Sequence, residues 1–267
     1  FGRVIGGGRV TRPRPIRLQL RRPDYSMADL IRRRIVERFD EEESILFADV
    51  AKARNRSVVE LTIPPEYRDD YEHFLELVMH LPIQLSSGGW EGYARRIATE
   101  MEMPTSKHSD LALIWEAMGR QVIPVVREHY ASRNPSISFY AARTGMRLGD
   151  RLAVEVILRF ATSANSPYQV SAVEELGRHK RILRATPTLR RLIDDDNERV
   201  RIAAYEALRT RGDKSMVTCI NISGQFGLDL VTTRRGYTVY ATQTIDPRIV
   251  LFGREMMVRR PIFFEAP

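Results

Sequence analysis

Apolar and polar positions alternate most regularly between residues 110 and 213. Three times there a polar turn is followed by a short apolar helix with a small residue at its centre. The first copy runs Asn134-Pro135-Ser136-Ile137, then Ala141, Thr144-Gly145 and Leu148-Gly149-Asp150; the second runs Asn165-Ser166-Pro167, then Ala172 and Leu176-Gly177. The third runs Asp196-Asn197-Glu198-Arg199-Val200, then Ala204, Ala207-Leu208 and Gly212-Asp213. Ala141, Ala172 and Ala204 thus recur at a period of about 31 residues, the mark of a repeat array. Each turn is preceded by another apolar helix, over Val122–Tyr130, Ala153–Phe160 and Leu189–Ile193.

One helix pair cannot bury its apolar face alone, so neighbouring pairs must stack, and small residues let the helices approach. The unit resembles short bacterial HEAT-type repeats, best at Asp194–Asp213. Trp115–Gly119 reads as the tail of a preceding capping helix, and Pro124 falls early in its helix, where a missing N–H costs little. Arrays of this kind are scaffolds and binding surfaces more often than catalysts.

Outside the array the periodicity changes. Ile16, Leu18 and Leu20 alternate with Arg17 and Gln19, which predicts a half-buried strand over 14–20. Ser26-Met27-Ala28-Asp29 opens a helix to about Phe39, with Met27, Ile31, Ile35 and Phe39 toward the core and Asp29, Arg33 and Glu37 outward. Asp40–Ser44 reads as an acidic turn. A second strand is expected over Ser57–Ile63, then a helix carrying Tyr67, Tyr71, Phe74, Leu75 and Val78, then a third strand over Leu81–Leu85. Ser86-Ser87-Gly88-Gly89 is turn-rich, and Trp90–Met101 reads as a bridging helix. Beyond the array, Val217–Ile222, Leu228–Thr232, Tyr237–Gln243 and Arg248–Leu251 are short β-branched or aromatic runs, with Arg234–Tyr237 as a hairpin turn. The expected fold is therefore multidomain α+β: a two-layer β-α-β-α-β module over 1–85, a linker and bridging helix over 86–109, HEAT-like repeats over 110–213, and a small antiparallel β unit over 214–267.

The first module resembles the distal part of the flagellar basal-body P-ring protein family. That family has an apolar strand, then L-x-L-R-x-P-D-[FY] opening a helix that ends I-x-x-R-F, an Ala-Asp pair, and an alternating strand ending in proline. Here these stand as Leu18–Tyr25, Ile35–Phe39, Ala48-Asp49 and Val58–Pro64. The family's proximal segment is not in this chain, and the helical repeats replace its β-rich ending.

A hydrophobic content of 43% permits a sizeable core, and no apolar run reaches the length of a membrane-spanning helix. Phe1-Gly2-Arg3 is an unusual start and points to an N-terminally truncated fragment. The net charge of +8 is carried almost wholly by arginine, since Lys52, Lys107, Lys180 and Lys214 are the only lysines. An arginine-biased genome explains this more simply than nucleic acid, because acidic residues are interspersed nearly everywhere.

The candidate chemistry reads as structure. Gly6-Gly7-Gly8 lacks the Gly-Lys-Ser/Thr of a nucleotide loop. His73 and His80 are spaced too far for a helical metal pair. Asp194-Asp195-Asp196-Asn197 lacks the glycine and final glutamate of a calcium loop and serves as an inter-helix turn, with Asn197 or Asp196 capping the next helix. Arg32-Arg33-Arg34 and Glu41-Glu42-Glu43 are solvated charge. Cys219 reads as a buried structural thiol that excludes an intrachain disulfide. Arg211-Gly212-Asp213 ends a helix with glycine and is not an adhesion motif. No catalytic set, cofactor site or metal site is expected.

Two readings follow. The P-ring resemblance implies a non-catalytic, periplasmic subunit that self-associates into a homo-oligomeric ring around the flagellar rod, in contact with peptidoglycan. Asp29, Arg33 and Glu37 are then the candidate interface. The alternative is a HEAT-type adaptor that binds a protein or an anionic polymer.

Overall fold

Strand β3 (Val58–Leu61) is the only strand of the first sheet with two partners. It pairs antiparallel with β1 (Ile16–Gln19) on one edge and with β2 (Ala51–Asn55) on the other. The computed structural model describes residues 15–39, 50–85, 88–164, 166–222, 226–242 and 247–254. Gly6-Gly7-Gly8, Asp40–Ser44 with Glu41-Glu42-Glu43, Ala48-Asp49, Ser86-Ser87 and Asn165 lie outside them. The chain divides into two compact units, Phe1–His129 and Tyr130–Pro267.

In the first unit, α1 (Tyr25–Phe39) lies against this sheet and buries Ala28, Ile35 and Phe39 on the face its spacing predicts. Its first turn is tied by Asp24, whose carboxylate accepts from the backbone N–H of Ser26 at 2.8 Å. Tyr67 sits in a short 3-10 turn (Pro65–Tyr67) ahead of α2 (Tyr71–His80), not inside that helix. Phe39, Tyr67 and Phe74 pack ring on ring, with Phe39 and Phe74 edge to face at 5.0 Å.

The order of elements is β-α-β-β-α, which corrects the expected β-α-β-α-β. Leu81–Leu85 forms no strand. Pro82 has no N–H to give a ladder, and the Ile83 carbonyl accepts from Arg34 Nε at 3.4 Å instead. The third strand is Ala51–Asn55, which has no β-branched residue. A tight turn joins it to β3, with Asn55 Oδ1 accepting from Ser57 N at 2.8 Å, and the ladder supplies what propensity does not. Helices α3 (Gly89–Met101), α4 (His108–Met118) and α5 (Ile123–Arg127) complete this unit. Trp115 of α4 is fully buried, and its indole N–H donates to the Ala94 carbonyl at 3.0 Å.

The second unit holds α6 (Pro135–Arg147), α7 (Arg151–Thr162), α8 (Gln169–Arg178), α9 (Ala185–Leu192) and α10 (Glu198–Thr210). Asn134, Asp150 and Asn197 cap α6, α7 and α10, each side chain accepting a backbone N–H two residues on. Ala141, Ala172 and Ala204 are all 0% exposed, as their common period predicts. Helices α8 and α10 approach closely at Gly177, where an added methyl group would come within 2.7 Å of Ala207 Cβ. Gly212 ends α10 with φ +76°, a conformation that costs glycine little.

The second sheet has the order β4-β5-β7-β6, from β4 (Val217–Ile222), β5 (Phe226–Thr232), β6 (Thr238–Ala241) and β7 (Arg248–Gly253). It is mixed, not antiparallel as expected, because β5 and β7 run parallel. The segment Arg234–Tyr237 is accordingly no hairpin turn; it crosses between strands that are not neighbours. The most apolar strand, β7, takes an interior place and buries Val250 and Phe252. This sheet covers α10: Phe252 meets Tyr205 edge to face at 5.9 Å, and Arg201 Nη2 donates to Thr238 Oγ1 at 2.9 Å. The α+β, multidomain character with HEAT-like helices thus stands.

Candidate functional site

From the end of α8 to the start of α9 the chain reads Arg178-His179-Lys180-Arg181-Ile182-Leu183-Arg184, with four cations in seven residues. The loop forms one wall of a cavity of about 410 Å³; the α6–α7 turn and the start of α7 form the other. Met146, Val154 and Ile182 supply an apolar floor, and Arg151, Lys180 and Arg181 stand at the rim. Those three side chains form no hydrogen bond or ion pair among the described residues. The one carboxylate in the lining, Asp150, is buried: Tyr130 Oη donates to its Oδ2 at 2.7 Å and the Leu152 N–H to its Oδ1. Leu152 and Leu183 are 59% and 79% exposed.

Two hydrogen-bonded devices hold the loop in place. The first is Arg211, at the end of α10. Its Nη1 donates to the carbonyls of Leu176 and His179 at 3.0 and 2.7 Å, and its Nη2 to that of Ile182 at 2.7 Å. The His179 and Ile182 carbonyls also accept the backbone N–H of Ile182 and Ala185, both at 3.1 Å, so the guanidinium reinforces the turns that lead from α8 into α9. The second is Glu175, whose side chain is only 4% exposed. Arg147 grips it in a fork, Nε to Oε1 at 2.7 Å and Nη2 to Oε2 at 2.8 Å, and His179 Nε2 lies 3.1 Å from Oε1. Burial alone would raise the Glu175 pKa; the hydrogen bonds from His179 and Arg147 outweigh it and hold the carboxyl well below the usual range. Arg184 reaches Glu155 of α7 at 2.6 Å and braces the far end of the loop.

The residues singled out in the sequence lie elsewhere. Asp29, Arg33 and Glu37 share the outer face of α1, where Asp29 pairs with Arg33 and Arg32 at 2.9 Å and Glu37 with Arg34 at 2.8 Å. The hydrogen bond from Arg32 leads in lowering the Asp29 pKa. His73 is mostly buried, with Nε2 2.5 Å from Glu116 Oε1, and His80 Nδ1 lies 2.7 Å from the Glu76 carbonyl oxygen. Asp194 accepts from Thr233 Oγ1 and Arg234 N, both at 2.7 Å, while Asn197 caps α10. Among the described residues no metal-ligating group of three comes together, and no helix is long and apolar enough to cross a membrane.

Cys219 corrects the expectation of a buried thiol. Strand β4 is a sheet edge whose middle residues face outward, and the thiol is exposed beside a cavity of about 220 Å³ that Tyr205, Asp229 and Arg248 also line. There Tyr205 Oη donates to Asp229 Oδ2 at 2.5 Å, and Arg248 Nη1 approaches both Asp229 oxygens at 3.2 Å. Burial, then Asp229, pushes the Cys219 thiol and the Tyr205 hydroxyl above their ordinary pKa values. Neither is a ready nucleophile near neutral pH.

The cation run at 178–184 was visible in the sequence as charge. Arg211 was visible only as part of a tripeptide, and nothing local announces Glu175.

The family model for HEAT repeats matches residues 154–219, from within α7 to within β4. The match contains Ala172, Ala204 and the basic loop. Neither the curated proteins nor the solved structures gave a match to the chain. Nothing in these comparisons bears on the P-ring resemblance of residues 18–64.

Proposed function

We propose that this protein is a non-catalytic adaptor whose HEAT-like helices present the basic groove to a partner macromolecule. The observation that carries this is a rim of three cations without internal partners, Arg151 at the start of α7 and Lys180 and Arg181 on a loop that part-buried hydrogen bonds fix in shape. A scaffold that must recognise a partner gains affinity from such preorganisation. The non-catalytic part is supported by the groove's lining, which among the described residues pairs no nucleophile with a base.

The test is capture of the partner from source cells by the full chain and by the Arg151→Glu/Lys180→Glu/Arg181→Glu variant. Capture should disappear on charge reversal while the thermal midpoint stays within a few degrees. Equal capture by both chains would refute the groove as the binding site.

A second reading rests on the order and spacing of Leu18–Tyr25, Ile35–Phe39 and Val58–Pro64: a periplasmic P-ring-like subunit that self-associates around the flagellar rod through Asp29, Arg33 and Glu37. Charge reversal of these three should then break the oligomer. Deletion of the gene in the native cell should abolish the P-ring and swimming, and swimming cells with intact rings would remove this reading.

A further inference from the structure

We infer that the groove takes an acidic peptide segment bearing one apolar side chain; this rests on the adaptor reading and names its ligand. The lining has two chemistries in a fixed order. Met146, Val154 and Ile182 form the floor, and Arg151, Lys180 and Arg181 rise at the rim. An occupant that matches both must place an apolar group at depth and negative charge on either side of it. The volume of about 410 Å³ lies within the ordinary range of ligand pockets, roughly 300–1,000 Å³.

Charge complementarity decides the sign of the occupant, because the single carboxylate of the lining is turned inward to Tyr130. The shape decides its class. A nucleic acid is held by cations that track a backbone and by aromatic rings on which bases stack. Here the cations border one hollow, among the described residues no Phe, Tyr or Trp side chain lines it, and its one ring, His179, lies 3.1 Å from Glu175 Oε1. Leu152 and Leu183, exposed beside Arg151 and Ile182 in the chain, offer further apolar contact to a peptide. An exposed leucine beside an arginine rim is ill suited to a hydrated phosphate backbone and well suited to alternating carboxylates and aliphatic groups.

The loop is also built for selectivity. Arg211 bonds the carbonyls of Leu176, His179 and Ile182, so the loop cannot open widely to admit a folded domain without losing three hydrogen bonds. An extended segment needs no such opening.

The experiment titrates the full chain against a fluorescent peptide of glutamates around a single leucine, the same peptide with alanine for leucine, and a single-stranded oligonucleotide. Each titration is repeated with the Arg151→Glu/Lys180→Glu/Arg181→Glu chain, whose fold is checked by thermal melting. The leucine peptide should bind, lose at least about tenfold on charge reversal, and lose several-fold when alanine replaces leucine. Equal binding of the two peptides would overturn the apolar anchor. Tighter binding of the oligonucleotide, abolished by charge reversal, would overturn the peptide and leave the adaptor reading standing. If no probe distinguishes the two chains, the inference falls; if partner capture from cells is also unchanged by charge reversal, the adaptor reading falls with it.

Discussion

Arg211 Nη2 and the carbonyl oxygen of Ile182 are 2.7 Å apart, and this hydrogen bond links the end of the last repeat helix to the floor of the groove. The same guanidinium also bonds the Leu176 and His179 carbonyls, so one side chain ties the end of α8 to two points of the loop. Arg211→Ala should destabilise the second unit by about 2–3 kcal/mol, since hydrogen bonds from a charged group are lost together. Lysine should restore little of this, because a single ammonium cannot fork to three acceptors. A thermal melt of Arg211→Ala unchanged within a degree would contradict the prediction.

Gly177 is a point of close contact between α8 and α10. A Cβ there meets Ala207 Cβ at 2.7 Å and Ala207 Cα at 2.8 Å. Since part of the obstacle is backbone, the helices themselves must separate, and Gly177→Ala should cost about 1–3 kcal/mol despite the better helix propensity of alanine. Chemical denaturation is the measurement, and a stabilised variant would show that the two helices are less closely packed.

Glu175 makes stability depend on acid. Its pKa in the fold lies below its value in the unfolded chain, so its contribution is complete above the unfolded value and is lost as pH falls toward the folded one. The urea midpoint should therefore drop progressively below about pH 5, and Glu175→Gln should flatten that part of the curve. Parallel curves for the two chains would rule out Glu175 as its source.

Cys219 is exposed yet held in its thiol form. Alkylation should be slow at neutral pH and accelerate with an apparent midpoint above the ordinary thiol value of about 8.5. A pH–rate profile with its midpoint at or below that value would contradict the influence of burial and Asp229.

What could be read from the chain follows from how far apart the causes lie. Ala141, Ala172 and Ala204 were legible because a repeat writes its period along the sequence. The face of α1 was legible because Ile35 and Phe39 stand one helical turn apart. Strand Ala51–Asn55 was not, since Ala-Lys-Ala-Arg-Asn carries no pattern and becomes a strand only through its pairing with β3. Leu81–Leu85 looked like a strand by composition, but its carbonyl at Ile83 is taken by Arg34, far away in sequence. The parallel pairing of β5 with β7 and the outward face of Cys219 depend likewise on which strands become neighbours. The groove was half legible: its charge is local, whereas its shape depends on Arg147 of α6 meeting Glu175 of α8 and on Arg211, after α10, reaching back to the carbonyls of Leu176, His179 and Ile182.

The sheet that covers α10 sets a limit on the repeat stack at that helix. A stack of helix pairs grows by adding another pair to an open end, but Phe252 and Thr238 occupy the side of α10 that a further pair would use. A duplicated pair inserted before α9 leaves that seal intact, whereas one inserted after α10 displaces it. Relatives of different length should therefore differ in the interior of their repeats and keep the same last helix under the same strands.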